Sequence, residues 1–163
     1  MNGMRLETVP SENGALMAEN GMNHDNYPDT LIRDILTSTK TIALVGASPK
    51  PERPSNGVMA ALLKRGYTVI PVNPGQVGKT IHGQTVVARL EDIDVPVDMI
   101  DVFRAPAQMG DVVDDVFRMK TLPRYIWGQL GVRNDAAAAR AEERGITVVM
   151  NRCPAIEIPR LGL

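Results

Sequence analysis

Short apolar runs and amphipathic segments alternate along most of the chain. The apolar runs are rich in Val, Ile and Thr, and they predict β-strands over residues 41–45, 68–72, 99–103, 125–127 and 147–150. Most of these runs are continuously apolar rather than alternating between apolar and polar residues. This pattern is typical of strands that are buried on both faces of a parallel sheet.

Helices are predicted before and between the strands, where apolar residues recur at helical spacing. They cover residues 28–39, 55–66, 106–116 and 134–145. Ser55 or Asn56 and, further on, Asn134 are suitable N-cap residues, while Gly66 and Gly145 are suitable helix terminators.

The alternation of strands and helices predicts an α/β fold. Right-handed crossovers would build a Rossmann-like, doubly wound parallel sheet of about five strands with helices on both faces. We expect one such domain over residues 27–163. Residues 1–26 are rich in Asn, Gly, Met, Glu and Ser and show no periodicity, so we expect a disordered N-terminal tail.

Composition narrows the classes of function. Apolar residues make up 44% of the 163 residues and charged residues 23%, and the net charge of -1 gives no overall field that would attract nucleic acid or an anionic membrane. No apolar run reaches the ~20 residues that span a bilayer. Cys153 is the single cysteine, which excludes an intramolecular disulfide. We therefore expect a cytoplasmic protein in a reducing compartment, without a nucleic-acid or membrane partner.

The segment after the first predicted strand has the composition of a phosphate-binding loop. Residues 46–56 are rich in Gly, Pro and basic side chains, and they lead into the start of a predicted helix. A helix N-terminus offers free N–H groups and a positive dipole end, which suit phosphate, and Lys50 and Arg53 can add charged contacts. A solvated connector is the alternative interpretation of this loop.

The end of the second predicted strand lacks the acidic residue that dinucleotide-binding domains use. Such domains place Asp or Glu there to bind ribose hydroxyls, whereas this chain has Val72-Asn73-Pro74. The glycine fingerprint of those domains fails as well, because Ser48 and Pro51 stand where its second and third glycines belong. An NAD(P) site is therefore disfavoured, and an ordinary turn is the alternative explanation of this segment.

Polar and aromatic residues also follow the third and fourth predicted strands. Phe103, Arg104 and Pro106 come after the third, and Gln129 and Gly131 come after the fourth. Because ligands of doubly wound sheets bind beyond the carboxyl ends of the strands, these positions belong to the candidate site. A simple core role is the alternative for Phe103.

Taken together, these segments resemble the small bacterial CoA-binding proteins, which are similar in turn to the CoA-binding domain of the succinyl-CoA synthetase alpha subunit. The resemblance is carried by residues 42–50 (IALVGASPK), 53–55 (RPS), 66–67 (GY), 69–74 (VIPVNP), 101–104 (DVFR), 127–131 (WGQLG) and 148–153 (VVMNRC). It covers nearly everything after the tail and implies that coenzyme A or an acyl-CoA is the ligand.

The resemblance also assigns residues to the parts of the ligand. It implies that the phosphates lie at Ser48, Lys50, Arg53 and Ser55, in the loop that begins with Gly46 and Ala47. It implies that the adenosine lies beside Val72, Asn73 and Pro74. The pantetheine arm would then pass Phe103, Arg104 and Pro106 toward Gln129 and Gly131.

Departures from the synthetase argue against catalysis. The sequence has no second domain with a phosphorylated histidine, and neither His24 nor His82 matches that position. Gln76 stands where the synthetase has Lys. The sequence also has no Cys-His or Ser-His-Asp set that the order of elements would bring together, and no metal-ligand spacing. The expected function is a non-catalytic carrier, sensor or regulatory role rather than an enzyme activity.

Three other functions stay open at the level of the sequence. The first is an NAD(P)-dependent oxidoreductase on the same fold. The second is a thiol-redox CoA sensor, because Arg152 precedes Cys153 and a nearby cation favours the reactive thiolate. A buried structural cysteine is the alternative for that residue. The third is a pure interaction protein, which no sequence feature favours.

Overall fold

The strands were located in a computed structural model that describes residues 22–163. They are β1 (Thr41–Val45), β2 (Thr68–Val72), β3 (Thr80–Ile81), β4 (Gln84–Thr85), β5 (Met99–Val102), β6 (Tyr125–Gly128) and β7 (Thr147–Val149). Five of them form a parallel sheet in the order β2-β1-β5-β6-β7, while β3 and β4 pair as an antiparallel hairpin. All five main strands lie where the sequence predicts them.

The helices are α1 (Asp29–Ser38), α2 (Pro54–Lys64), α3 (Met109–Phe117), α4 (Asp135–Glu143) and α5 (Pro154–Arg160). Short 3₁₀ turns cover Pro74–Gln76, Leu90–Asp92 and Pro106–Gln108. None of the helices in residues 22–163 is long and apolar enough to cross a membrane.

Two hydrophobic clusters lie on opposite faces of the sheet. One contains the buried residues of α3 and α4, such as Val113 and Ala138, and the other contains those of α1, α2 and α5, such as Ile32, Leu62 and Ile158. Helices therefore cover both faces, and the α/β Rossmann-like fold class is confirmed. The chain leaves β1 toward β2 on one side and later returns to β5 on the other, so the switch point of the sheet lies between β1 and β5.

The hairpin of β3 and β4 and the helix α5 were not predicted from the sequence. Each hairpin strand has two residues, which is too short for any periodicity to show. The helix α5 has only seven residues, and Pro159 lies inside it, where proline normally argues against a helix. Pro154 stands at the first helical position, where proline is tolerated. The predicted helix over 106–116 begins as a 3₁₀ turn and becomes α-helical at Met109.

Tyr27 ties the start of the described chain to the β7 edge of the sheet. Its hydroxyl accepts a 2.9 Å hydrogen bond from the Met150 N–H and lies 2.6 Å from His24 Nδ1, while His24 Nε2 lies 2.9 Å from Glu142 Oε2. Burial raises the pKa of Tyr27 to about 12, so the hydroxyl keeps its proton at neutral pH. His24 thus makes these contacts from within residues 22–26, which were assigned to the tail from the sequence. Residues 1–21 of the predicted tail lie outside the described chain.

Candidate functional site

The ends of β1, β2 and β5 meet at the switch point of the sheet. The Phe103 N–H donates to the Val45 carbonyl at 2.8 Å, and the N–H groups of Gly46 and Ala47 donate to the Val72 carbonyl at 3.0 and 3.3 Å. These bonds extend the sheet past the last strand residues. The N–H groups of Gly46 and Ala47 are therefore used by the fold, and a phosphate at this edge needs donors from later in the loop.

Gly46 allows β1 and β5 to approach each other this closely. Its φ is +89°, and a Cβ at this position would lie 2.3 Å from the Phe103 carbonyl oxygen and 3.2 Å from Arg104 Cδ. Both the backbone conformation and the space around it therefore require glycine.

Ser48 shapes the loop between β1 and α2. Its Oγ accepts a hydrogen bond from the Lys50 N–H at 3.2 Å, and its carbonyl accepts one from Asn56 Nδ2 at 3.0 Å. The Arg53 N–H donates to the Lys50 carbonyl at 3.1 Å. These bonds fold the loop onto the first turn of α2, where the N–H groups of a helix have no partner within the helix.

The β3–β4 hairpin supports this loop through His82. Its Nε2 lies 3.0 Å from both the carbonyl and the side-chain Oδ1 of Asn56, so the Nε2–H donates to Asn56. His82 (φ +49°) and Gly83 (φ +80°) are the two central residues of the hairpin turn, and both have the positive φ of a type I′ turn. This contact was not predicted from the sequence, because the hairpin that carries His82 to α2 has strands of only two residues.

Asn73 connects the end of β2 to the loop after β1. Its Nδ2 donates to the Ala47 carbonyl at 2.8 Å, and its Oδ1 accepts from the Gly75 N–H at 2.9 Å. Its own N–H donates to the Val87 carbonyl at 2.9 Å. The side chain is therefore fully engaged inside the protein.

A cavity of about 160 Å³ lies beside the ends of β1 and β2. Its apolar lining residues are Val45, Val72, Pro74, Ala88 and Leu90, and its charged lining residues are Arg89, Arg104 and Asp115. Arg104 is held by Gln108, whose Oε1 accepts from the Arg104 Nε at 3.2 Å. Arg89 was not predicted as a site residue, because it follows no strand of the main sheet and belongs to no motif.

The end of β6 lies next to the end of β5. The Gln129 N–H donates to the Val102 carbonyl at 3.2 Å, and the Gln129 side chain is buried. Gly131 is exposed, and its N–H donates to Asn151 Oδ1 at 2.7 Å. This bond joins the loops that follow β6 and β7.

The predicted site residues thus fall into three groups. Direct contacts connect Gly46, Ala47, Val72, Asn73, Phe103 and Arg104 around the switch point, with Pro74 in the cavity wall and Gln129 joined through Val102. Exposed positions on loops of the same edge are occupied by Lys50, Arg53, Pro106 and Gly131. Ser55 is 4% exposed in the first turn of α2, and Ser48 is half-buried in the preceding loop. The contact of each residue with a ligand stays a prediction.

Two further features bear on chemistry at this site. Cys153 is a buried free thiol at the N-cap position of α5. Among residues 22–163, no group of three or more His, Cys, Asp or Glu side chains is arranged so that it could hold a metal ion.

Several known proteins are similar to this chain in fold and in sequence. A hypothetical protein from Pyrococcus horikoshii OT3 is 38% identical and has a TM-score of 0.77, over 84% of this chain and 94% of that one. The cell-free ID.343 protein from Thermus thermophilus is 38% identical with a TM-score of 0.77, over 83% of this chain and 99% of that one. The uncharacterized protein YneT of Bacillus subtilis (strain 168) is 37% identical over 122 residues, which are 75% of this chain and 87% of that protein.

The family relationship follows from a match to a family model. The model is described as a CoA binding domain, and it matches residues 40–159, which include every strand, the helices α2 to α4 and all of α5 except its last residue. The resemblance stated from the sequence is thereby confirmed. This chain belongs to the CoA-binding domain family.

Proposed function

We propose that this protein binds coenzyme A or an acyl-CoA at the carboxyl edge of the sheet and serves as a non-catalytic carrier, sensor or regulatory module. The observation that carries the proposal is the cavity beside β1 and β2, in which Arg89 and Arg104 stand next to the apolar surface of Val45, Val72 and Pro74. A purine ring with a nearby phosphate presents the complementary chemistry, because guanidinium groups bind phosphate and apolar walls accept a flat ring.

The loop between β1 and α2 is the proposed site of the pyrophosphate. Lys50 and Arg53 are exposed and therefore available to phosphate oxygens, and the first turn of α2 adds backbone donors and a positive dipole end. Ser48 and its bond with Asn56 fix the path of the loop. Ser55 lies in the same turn, where its hydroxyl is available only to a group that reaches into the buried side of the helix.

The pantetheine arm is proposed to leave the cavity past Phe103 and Pro106 and to run toward Gln129 and Gly131. These residues follow β5 and β6, which are neighbours in the sheet, so the path crosses adjacent strand ends. When bound, CoA would supply a thiol or thioester at the end of the arm. The chain's own residues would bind and orient the ligand, and no residue is assigned a bond-making role.

NAD(P) is the alternative ligand for this fold, and the residue at the end of β2 argues against it. Asn73 donates to the Ala47 carbonyl and occupies the position where a ribose-binding carboxylate would stand in a dinucleotide-binding domain. A carboxylate could not make that donation, because it has no proton to give. The local structure therefore supports a ligand whose ribose is not recognised by an acid here.

The proposal is tested by calorimetric titration and thermal unfolding with CoA, acetyl-CoA and NAD in parallel. A ligand that binds the folded state adds RT ln(1 + [L]/Kd), which is about 2.7 kcal/mol at a hundredfold excess over Kd. For a chain of this size, that corresponds to a rise in the melting temperature of roughly 5–11 °C. CoA or acetyl-CoA should produce the rise and NAD should not. The proposal is wrong if NAD alone stabilises the protein, or if no CoA species binds.

A further inference from the structure

The carboxyl group of Asp101 is buried in the centre of the sheet. Asp101 lies on β5 between Leu44 of β1 and Trp127 of β6, and its side chain is 0% exposed. Within residues 22–163 neither of its carboxyl oxygens has a hydrogen-bond partner. Burial raises the pKa of this carboxyl well above its usual range and so favours its neutral form, which has one O–H donor and one carbonyl acceptor.

A second buried polar group without a partner lies one strand away. Gln129 is 5% exposed, and its Oε1 has no hydrogen-bond partner in the described chain. Asp101 is in register with Trp127, and Gln129 follows Trp127 by two residues, directly after β6, where its N–H still donates to the Val102 carbonyl. Alternation along this extended segment places Gln129 on the same face of the sheet as Asp101. With strands about 4.8 Å apart and about 3.3 Å per residue, the two α-carbons are about 8 Å apart. A small group could therefore be held between the two side chains.

Such unpaired groups are costly, and proteins keep few of them. A buried donor or acceptor without a partner destabilises the folded state, so each one calls for a water or a ligand that completes it. Here the two groups have complementary needs. The Asp101 O–H needs an acceptor, and the Gln129 Oε1 needs a donor.

We propose that Asp101 and Gln129 form a buried binding site for a secondary amide of the ligand, namely one of the two amides of a pantetheine arm. The inference rests on the proposed function and specifies which part of the ligand this end of the site recognises. A secondary amide carries a carbonyl that accepts from the Asp101 O–H and an N–H that donates to Gln129 Oε1. One ligand group thus provides a partner for the Asp101 O–H and for Gln129 Oε1, whereas a thioester carbonyl would provide one only for the Asp101 O–H.

Phe103 lies close to this site at the end of β5. It follows Asp101 by two residues, directly after the end of β5, and is half-buried at the sheet edge. It packs against the same hydrophobic cluster as Trp127 and Leu44. Phe103 is thus the half-buried residue of this cluster that lies next to Asp101 at the carboxyl edge. A buried water bridging Asp101 and Gln129 is the competing occupant, since water also donates and accepts.

The experiment compares CoA with adenosine 3′,5′-bisphosphate, which has the adenosine, the 3′-phosphate and the first 5′-phosphate of CoA but lacks its second 5′-phosphate and its pantetheine arm. The ratio of their dissociation constants is measured by calorimetry, and a variant that changes this ratio has changed a contact with the missing part. Asp101→Leu and Gln129→Leu should each reduce the preference for CoA by about tenfold, the scale of one lost hydrogen bond. Neither should weaken the binding of the bisphosphate. Asp101→Asn keeps a donor and an acceptor and should retain the preference within about threefold.

The matched control is Leu44→Met, a volume-conserving change at a buried residue beside Asp101 that makes no hydrogen bond through its side chain. It should leave the ratio unchanged. If Asp101→Leu does not fold, Gln129→Leu at the edge of the sheet decides the question. An unchanged ratio in the Leu variants means that the pair holds water alone and overturns the inference. Equal binding of CoA and the bisphosphate by the parent protein also overturns it but leaves the proposed function intact, whereas binding of neither ligand overturns both.

Discussion

The side-chain amide of Asn73 lies 2.8 Å from the carbonyl oxygen of Ala47 and donates a hydrogen bond to it across the ends of β2 and β1. The same side chain accepts a hydrogen bond from the Gly75 N–H at 2.9 Å. The side chain at position 73 therefore has to donate one hydrogen bond and accept another. An amide of this size does both, whereas an ionised carboxylate can only accept.

Asn73→Asp should destabilise the protein without creating an NAD site. Aspartate has the same size and still accepts from Gly75, but it leaves the Ala47 carbonyl without its donor and places a charge beside it. We expect the free energy of unfolding in urea to fall by about 1–3 kcal/mol, and CoA binding to weaken. NAD should still not bind.

Asn151→Asp is the matched control for this change. Asn151 Oδ1 accepts from the Gly131 N–H, and a carboxylate preserves that bond. Its stability should therefore stay close to that of the parent. Equal stability of Asn73→Asp and the parent would contradict the role given to the bond with Ala47.

Gly46→Ala and Gly57→Ala should have opposite effects. At Gly46 the positive φ alone costs about 1–3 kcal/mol, and the new Cβ also clashes with the Phe103 carbonyl. At Gly57, inside α2, nothing lies within 4 Å of an added Cβ, so alanine should stabilise the protein by about 0.5–1 kcal/mol. Urea denaturation of both variants measures the contrast. Equal effects would mean that β1 and β5 do not need the close approach.

The main sheet was predictable because each of its strands is an apolar run with polar ends. The site residues at the strand ends, such as Asn73 and Phe103, could be found for the same reason, since the carboxyl ends of parallel strands share one edge. Arg89, Asn56 and His82 could not be found in this way. Arg89 lies in the cavity wall, Asn56 in the first turn of α2 and His82 in the turn of a hairpin with two-residue strands. Tertiary packing brings these three elements to the site.

Asp101 shows a different limit of sequence analysis. A carboxylate within an apolar run indicates an exposed strand end or a buried acid, and the sequence alone does not separate these possibilities. The register with Leu44 and Trp127 decides it, because it places Asp101 on the face covered by α1, α2 and α5.

Asp101→Asn should become increasingly more stable than the parent as the pH rises. The folded-state pKa of Asp101 is raised by burial above its unfolded value of about 3.9, so the folded state binds a proton that the unfolded state releases. The parent therefore loses stability between the unfolded and the folded pKa, by about 1.4 kcal/mol per pH unit, while the Asn variant does not titrate. Urea denaturation of both proteins at several pH values above 4 measures the difference.

The exposed carboxyl of Asp111 provides the control for loss of one negative charge. Asp111→Asn removes one negative charge from the surface and measures what that loss alone does to the free energy of unfolding at the same pH values. A difference between Asp101→Asn and the parent that stays constant across the pH range would mean that Asp101 is ionised in the folded protein.

Lys50→Ala and Arg53→Ala should weaken CoA binding without loss of stability. Both side chains are exposed in the loop before α2, and a charge-assisted bond to phosphate contributes about 1–3 kcal/mol. The same loss is expected with dephospho-CoA, because it retains the pyrophosphate. Lys40→Ala, at the exposed residue before β1 and therefore at the opposite edge of the sheet, is the control. If both loop variants bind CoA like the parent, the loop is a solvated connector.

Cys153 should react slowly with CoA disulfide in the folded protein. Cys153 is only 5% exposed and stands at the N-cap position of α5. It is buried even though it follows β7 at the same edge of the sheet as the proposed pantetheine arm. In thiol–disulfide exchange the Cys153 thiolate has to reach a disulfide sulfur, form a mixed disulfide and release one CoA thiolate. Burial blocks that approach, so we expect intact-mass measurement to show little gain of CoA over the time in which exposed thiols react.

Unfolding provides the positive control, because the same thiol becomes accessible in urea and should then gain one CoA within that time. Cys153→Ser should gain none in either state. A rapid, stoichiometric adduct of the folded parent that is absent from Cys153→Ser would contradict the structural role of the thiol. Such an adduct would instead indicate a redox-responsive CoA sensor. CoA would then be held by a disulfide to Cys153, and the redox potential of the compartment would determine whether that disulfide persists.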